Sequence, residues 1–194
     1  MAKKAEKYQL ILSAAIKVIS EKGIEKTSIS DIVKESGVAQ GTFYLYFASK
    51  SALIPAIAEQ LLDNTLKGIQ QAIKDSETTI GMVVNSMIEE TFKLTEKNKR
   101  IIALCYSGLA FDNSFDRWEE IYKPYYTWLE EQLQRAVEQK EITADIHIKR
   151  TGKILIGLIE DAAERYYLGN DRVESLAEQK QELKRFIHGA LGIQ

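Results

Sequence analysis

The thirty residues from 24 to 53, IEKTSISDIVKESGVAQGTFYLYFASKSAL, constrain this 194-residue chain more than any other stretch. They read as two short helices joined by a tight glycine turn. Thr27 and Ser28 are good helix caps, and Ser28 with Asp31 has the spacing of a capping box. Over 28–35, Ile29, Ile32 and Val33 fall on one face, which makes an inward stripe. Gly37 lies just past the helix end, where a left-handed backbone is easiest for glycine. Val38 then braces a second helix over 39–47, with Phe43 and Phe47 four apart on its core side. Gln40, Gly41, Thr42, Tyr44 and Tyr46 are left for the outer faces. This is the layout of a helix-turn-helix, whose second helix enters the DNA major groove while the first crosses the backbone.

The segment resembles the N-terminal domain of the TetR family of bacterial transcriptional regulators. Thr27, Ser28, Gly37, Val38, Gly41, Thr42, Tyr44, Tyr46, Phe47, Ser49, Lys50 and Leu53 stand in the places of that family's pattern. Ala39 departs from it, since many members carry Ser or Thr there, and alanine cannot cap a helix with its side chain. The resemblance implies phosphate contacts by Thr27, Thr42, Tyr44, Tyr46 and Lys50, and Ser28 completes the set of candidate DNA-binding residues. Such contacts position a reader without carrying sequence information. Gln40 is the candidate for base readout, because a glutamine pairs bidentately with adenine. Gly41 has no side chain to keep the helix from the groove. The plainer alternative for Tyr44 and Tyr46 is that their rings seal the small domain. Lys3 and Lys4 are either a DNA-touching arm or an ordinary chain terminus.

With only two prolines and few strand-like alternations, the rest of the chain reads as all-α. About nine helices are expected, over 4–22, 28–35, 39–47, 49–74, 79–96, 99–111, 115–140, a span ending near 168, and 172–191. Residues 1–48 would form a three-helix DNA-binding domain, and 49–194 a helical ligand-binding and dimerisation core. Pro55 is expected to bend the fourth helix and Pro124 the seventh. The absence of an apolar run of 18 or more residues gives no membrane span, and MAKKAEKYQ lacks a signal-peptide core, so a cytoplasmic location is expected. The single Cys105 excludes an internal disulfide; it reads as a small hydrophobe, with redox sensing the alternative.

The net charge of −2 looks wrong for a DNA binder until it is divided. Residues 1–50 hold 8 Lys+Arg against 5 Asp+Glu, and the remainder 18 against 23. The basic excess therefore falls on the reader. Taken without the motif, an excess of three over fifty residues is within chance.

The helix that ends near 168 is apolar nearly all round, through Ile148, Ile154, Leu155, Ile156, Leu158, Ile159, Ala162, Ala163 and Tyr166. Such a helix is buried on more than one side, either as the centre of its own core or against a partner. The resemblance implies the second, because the last two long helices of TetR-like proteins pair with their copies. Leu155, Ile159, Leu183 and Ile187 are the candidate homodimer contacts.

Residues 106–128 hold eight of the chain's seventeen aromatics. Phe115, Trp118, Tyr122, Tyr125 and Leu129 make one helical stripe. Ordinary core is the bland reading; amphipathic rings also line cavities. The resemblance places a ligand cavity among these helices, so Trp118, Tyr122 and Tyr125, with Met87 and Thr91 opposite, become the candidate lining. Glu90 and Glu119 stand at stripe edges, where they either face solvent or hold a cationic ligand beside aromatic faces.

No zinc spacing, phosphate-binding glycine loop, nucleophile elbow or Glu-x-x-His pattern is present, so no metal, cofactor or enzymatic activity is expected. The expected function is a ligand-responsive regulator, a repressor, that binds a palindromic operator in double-stranded DNA as a homodimer and is released by a small lipophilic molecule. Lipophilic cations and fatty acyl thioesters both fit the core's composition. The alternative is a DNA-binding factor of the same fold that ignores ligands.

Overall fold

Local chemistry starts and stops these helices where the spacing predicts. Ser28 accepts from the Asp31 backbone N–H at 3.1 Å, while the Asp31 carboxylate accepts from the Ser28 N–H at 2.8 Å, completing a capping box. Gly37 ends that helix at φ 70°, in the left-handed region. Ser175 and Glu178 repeat the capping box at the start of the last helix.

A computed structural model describes residues 2–73, 78–109, 115–169 and 175–193. These hold eight helices: α1 Ala2–Lys22, α2 Ile29–Ser36, α3 Gln40–Tyr44, α4 Leu53–Ala72, α5 Ile80–Leu109, α6 Phe115–Glu138, α7 Ile148–Leu168 and α8 Leu176–Leu191. Among the described residues there is no strand, and no helix is long and apolar enough to cross a membrane. Phe111, Val173, the end of the expected fourth helix and the start of the expected ninth lie outside the described residues, as do the side chains of Lys3, Tyr106 and Phe115.

The chain divides into two compact units. The first is Met1–Leu61 with Arg100–Ile121, and the second Leu62–Lys99 with Tyr122–Gln194. In the first, α1 and α2 close over Ile11, Ala15, Ile19, Ile32, Phe43, Phe47, Leu53 and Ile57, joined by Ile101 and Leu104. Cys105 packs half-buried beside them. The exposed Lys17–Glu35 pair joins α1 to α2 at 2.5 Å, and Arg100 donates to the Ser20 and Glu21 carbonyls at 3.0 Å.

In the second unit, α5, α6, α7 and α8 bury Val83, Met87, Phe92, Tyr125, Leu129, Leu133, Leu155, Ile159, Leu183 and Ile187 together. Polar ties hold its ends. The Glu141 carboxylate accepts from the Ile80 N–H at 2.5 Å, which places a negative charge on the free amides that open α5. Arg135 donates to the Thr78 carbonyl at 2.9 Å. Gly192 turns at φ 64° beyond α8, and the Thr143 hydroxyl donates to its carbonyl at 2.8 Å.

Three details differ from expectation. The fifth and sixth helices join as α5, broken only at Asn98 (φ −114°, ψ 18°). The Asn98 side chain donates to the Leu94 carbonyl at 2.8 Å, competing for the acceptor its own amide uses in a regular helix. Pro55 bends nothing, because α4 begins at Leu53 and the proline sits in the first turn, where no amide needs an intrahelical partner. Regular α3 is five residues long, although Phe47 still donates to the Phe43 carbonyl at 3.0 Å.

Candidate functional site

The first unit carries a reader built on three rings. Phe43 is fully buried and lies 5.7 Å from Phe47, which stacks on Tyr8 of α1 at 5.3 Å. This wedge fixes how α3 projects. Opposite it, Gln40, Gly41 and Tyr44 are exposed, Thr42 is half-buried, and Leu45 is 78% exposed. A Cβ placed on Gly41 would meet no atom of the protein, and its backbone is ordinary helix. Nothing inside the fold therefore requires glycine there. Ala39 makes no side-chain cap, in keeping with its chemistry.

Two candidate phosphate ligands are committed elsewhere. Thr27 is buried, and its hydroxyl donates to the Gly23 carbonyl at 2.7 Å. The Lys50 ammonium donates to the carbonyls of Ile24 and Thr27 at 2.7 and 2.8 Å. Both brace the turn between α1 and α2. Tyr46 is intermediate: its ring meets Tyr8, and its hydroxyl donates to the Lys4 carbonyl at 2.9 Å. Ser28 is exposed but spends its hydroxyl on Asp31.

In the second unit the aromatic stripe of α6 meets α7. The Tyr122 hydroxyl donates to the Glu160 carboxylate at 2.9 Å. Tyr122 stacks on Tyr126, with centroids 5.5 Å apart and planes at 25°. The Lys153 ammonium lies 4.8 Å above the Tyr126 ring. Tyr125 is buried, and its phenol hydrogen-bonds Thr91 of α5. Burial pushes the Glu160 carboxyl up to about 8; the Tyr122 hydrogen bond opposes this and the Glu164 charge adds to it. Burial, and then Glu160, raises the Tyr122 phenol well above its ordinary value.

Against this geometry the relatives are informative. The family model for bacterial regulatory proteins of the tetR family matches residues 11–57, and the model for the tetracyclin repressor-like C-terminal domain matches 84–191. The HTH-type transcriptional regulator YvdT of Bacillus subtilis, itself uncharacterized, is 52% identical over 186 residues, covering 96% of this chain and 95% of its own. The chain belongs to the TetR family of transcriptional regulators. The fatty acid metabolism regulator protein of Bacillus subtilis is 24% identical over 191 residues, 97% of this chain and 98% of its own. The crystal structure of the Bacillus subtilis regulator FadR with stearoyl-CoA superposes with a TM-score of 0.74 at 22% identity, over 94% of this chain and 98% of that one, and so shares the fold.

The candidate ligand residues of this TetR-family regulator are divided between the two units. Met87, Thr91 and Tyr125 are buried in the second unit, and Tyr122 is half-buried there. Trp118 and Glu119 belong to the first unit and are half-buried. Glu90 is held by Lys93 at 3.0 Å, and its carboxylate lies over Gly68 of α4, where a Cβ would come within 2.7 Å of it. It acts as a helix contact. The acid among the aromatic rings is Glu160. Its signal was available in the sequence: a carboxylate set in a helix otherwise apolar nearly all round.

The four candidate dimer residues, Leu155, Ile159, Leu183 and Ile187, are buried in the core of the second unit. The apolar surface that α7 and α8 turn outward is Ile154, 66% exposed, and Phe186, 62% exposed. Leu45 is also exposed, since its offset of two from Phe43 places it away from the buried face.

Proposed function

We propose that this regulator is a repressor that binds a palindromic operator as a homodimer and leaves it when a small lipophilic molecule enters the helical core. Residues 1–48 act as the reader and 49–194 as the effector-binding and dimerisation part. The observation that carries the reading is the face of Gln40, Gly41, Tyr44 and Leu45. It is exposed, partly apolar, and holds a glycine that the fold itself does not need. Close approach by a DNA backbone accounts for that glycine. On this reading Gln40 reads a base edge, and Thr42, Tyr44 and Tyr46 contact phosphate. Ser28, Thr27 and Lys50 hold the turn that aims them.

Ile154 and Phe186 support a homodimer through α7 and α8, since a stable one buries roughly 1,200–2,000 Å² and draws on apolar anchors. A lipophilic effector is supported by the aromatic wall of α6 and by the relatives that are named for fatty acid metabolism or solved with stearoyl-CoA. Binding need only favour a spacing of the two readers that no longer matches the operator.

The test is a footprint of the full-length protein on its upstream DNA, with and without candidate lipophiles. A protected palindrome with half-site centres about 34–36 Å apart, or a multiple of that, is expected. No protected palindrome would sink the proposal. Protection that no lipophile relieves would favour the ligand-independent factor.

A further inference from the structure

The outward face of α3 carries two stripes. Gln40 and Tyr44 stand four apart on one, and Gly41 and Leu45 four apart on the other. None of these residues is charged. The first stripe is polar. The second joins a glycine, with open space where a Cβ would stand, to a leucine that is 78% exposed. No other large apolar residue among those described is as exposed as Leu45.

The two positions of the second stripe form one surface. Leu45 is the C-cap of α3 and keeps helical backbone angles, φ −72° and ψ −18°. A helical side chain leans toward the helix N-terminus and covers the turn before its own Cα. For Leu45 that turn holds Gly41, so the leucine stands beside a gap. Its N–H donates to the Thr42 carbonyl at 3.2 Å, and Phe43, two residues back, is fully buried. Phe43 therefore holds Leu45 outward, and Leu45 takes no part in the core of its unit.

A single exposed leucine is ordinary on a protein surface. This one adjoins the half-exposed Tyr44 and lies on the face that the operator reading turns toward DNA. The groups that bases present in the major groove are hydrogen-bond donors and acceptors, apart from the methyl group of thymine. A leucine set against a donor or acceptor strips it of water and returns nothing. Set against the methyl group, it takes apolar surface out of water on both sides.

We propose that Leu45 reads the 5-methyl group of one thymine in each operator half-site, in the space that Gly41 opens beside it. This rests on the operator-binding reading above. It adds an apolar readout to the polar one of Gln40, and makes Leu45 a specificity-determining residue.

For the experiment, full-length protein selects sites from a random duplex library. The enriched palindrome is then synthesised with each thymine replaced in turn by uracil, which removes only the methyl group. Affinities of the native protein and Leu45→Ala are measured by fluorescence anisotropy, with an unrelated duplex as control. At one thymine position, the same in both half-sites, uracil is expected to weaken the native protein about fourfold per half-site, the effect of one methyl group left in water. With both copies replaced, the loss is at least tenfold. Leu45→Ala is expected to lose a similar factor on the thymine duplex and to bind the uracil duplex equally well. Its affinity for the unrelated duplex stays within twofold of native, and its circular dichroism melt matches the native one. The uracil series on native protein tests the contact without any variant. Uracil tolerated within twofold at every position, or an enriched site without thymine, overturns the proposal. So does a uracil penalty that persists in Leu45→Ala, since another residue then reads the methyl group. An equal loss by Leu45→Ala on operator and unrelated duplex also overturns it, by placing the leucine on the DNA backbone. If no sequence is enriched, the operator reading fails together with this one; an enriched palindrome indifferent to uracil sinks this proposal alone.

Discussion

The Lys50 ammonium donates to the Thr27 carbonyl at 2.8 Å, so α4's leading segment holds the entrance to α2 through a single side chain. A second bond, to the Ile24 carbonyl at 2.7 Å, makes this a two-point clamp. Buried hydrogen bonds to charged groups contribute about 1.5–3 kcal/mol each net of the water contacts they replace, and less where the group is half-exposed. Lys50→Met is therefore expected to lower the protein's stability by about 1–3 kcal/mol in a denaturant melt. It is also expected to leave the salt slope of operator binding unchanged. A slope reduced by about one unit would instead mark Lys50 as a phosphate ligand.

Gly41→Ala separates folding from DNA binding. A helical glycine costs about 0.8–1 kcal/mol relative to alanine, and the added methyl group meets no protein atom. The variant is expected to melt slightly higher and to bind operator at least tenfold more weakly in a gel-shift titration. Unchanged operator affinity would remove the close-approach argument.

Exposure separates the proposed interface from the core on α7 and α8. Ile154→Asp and Phe186→Asp place a charge on residues with ample surface in the subunit, so each is expected to yield folded monomer by light scattering and circular dichroism. Leu183→Asp puts the same charge into the buried cluster and is expected to unfold the protein. A native-like dimer in both exposed variants would move the interface elsewhere.

Glu160 also makes stability depend on pH. Its carboxyl is raised from 4.5 to about 8 in the folded chain, so between those values the folded state holds the proton that the unfolded state has lost. Stability is then complete below about 4.5 and falls as pH rises toward 8, at up to about 1.4 kcal/mol per pH unit. Partial exposure of the residue reduces the observed slope. Glu160→Gln is expected to flatten this decline and to be the more stable protein at pH 8 in urea melts. An identical pH profile in the two proteins would show that the carboxyl ionises normally.

Local interactions explain why the reader was legible in the sequence. The Ser28–Asp31 box, the Gly37 turn and the Phe43–Phe47 pair each involve residues within four positions of one another, so their spacing alone specifies them. The break at Asn98 is equally local. Where spacing stopped being enough, a residue's role depended on an atom far along the chain. Thr27 and Lys50 fit a phosphate pattern, yet Lys50 reaches back 26 and 23 residues to backbone carbonyls. Glu90 and Glu160 are both acids on helix faces, and only packing distinguishes the one held by Lys93 over Gly68 from the one set among tyrosines.

By itself the sequence determined the helical class, the helix-turn-helix, the family and the charge division, because periodicity, caps and motif spacing are properties of neighbouring residues. Tertiary structure decided which apolar residues of α7 and α8 face inward and which acid lies among the aromatic rings. It also decided which lysine clamps the fold. A nearly all-apolar helix has no periodicity to give it an orientation, so Leu155 and Ile154 look alike until neighbouring helices cover the first and leave the second in water.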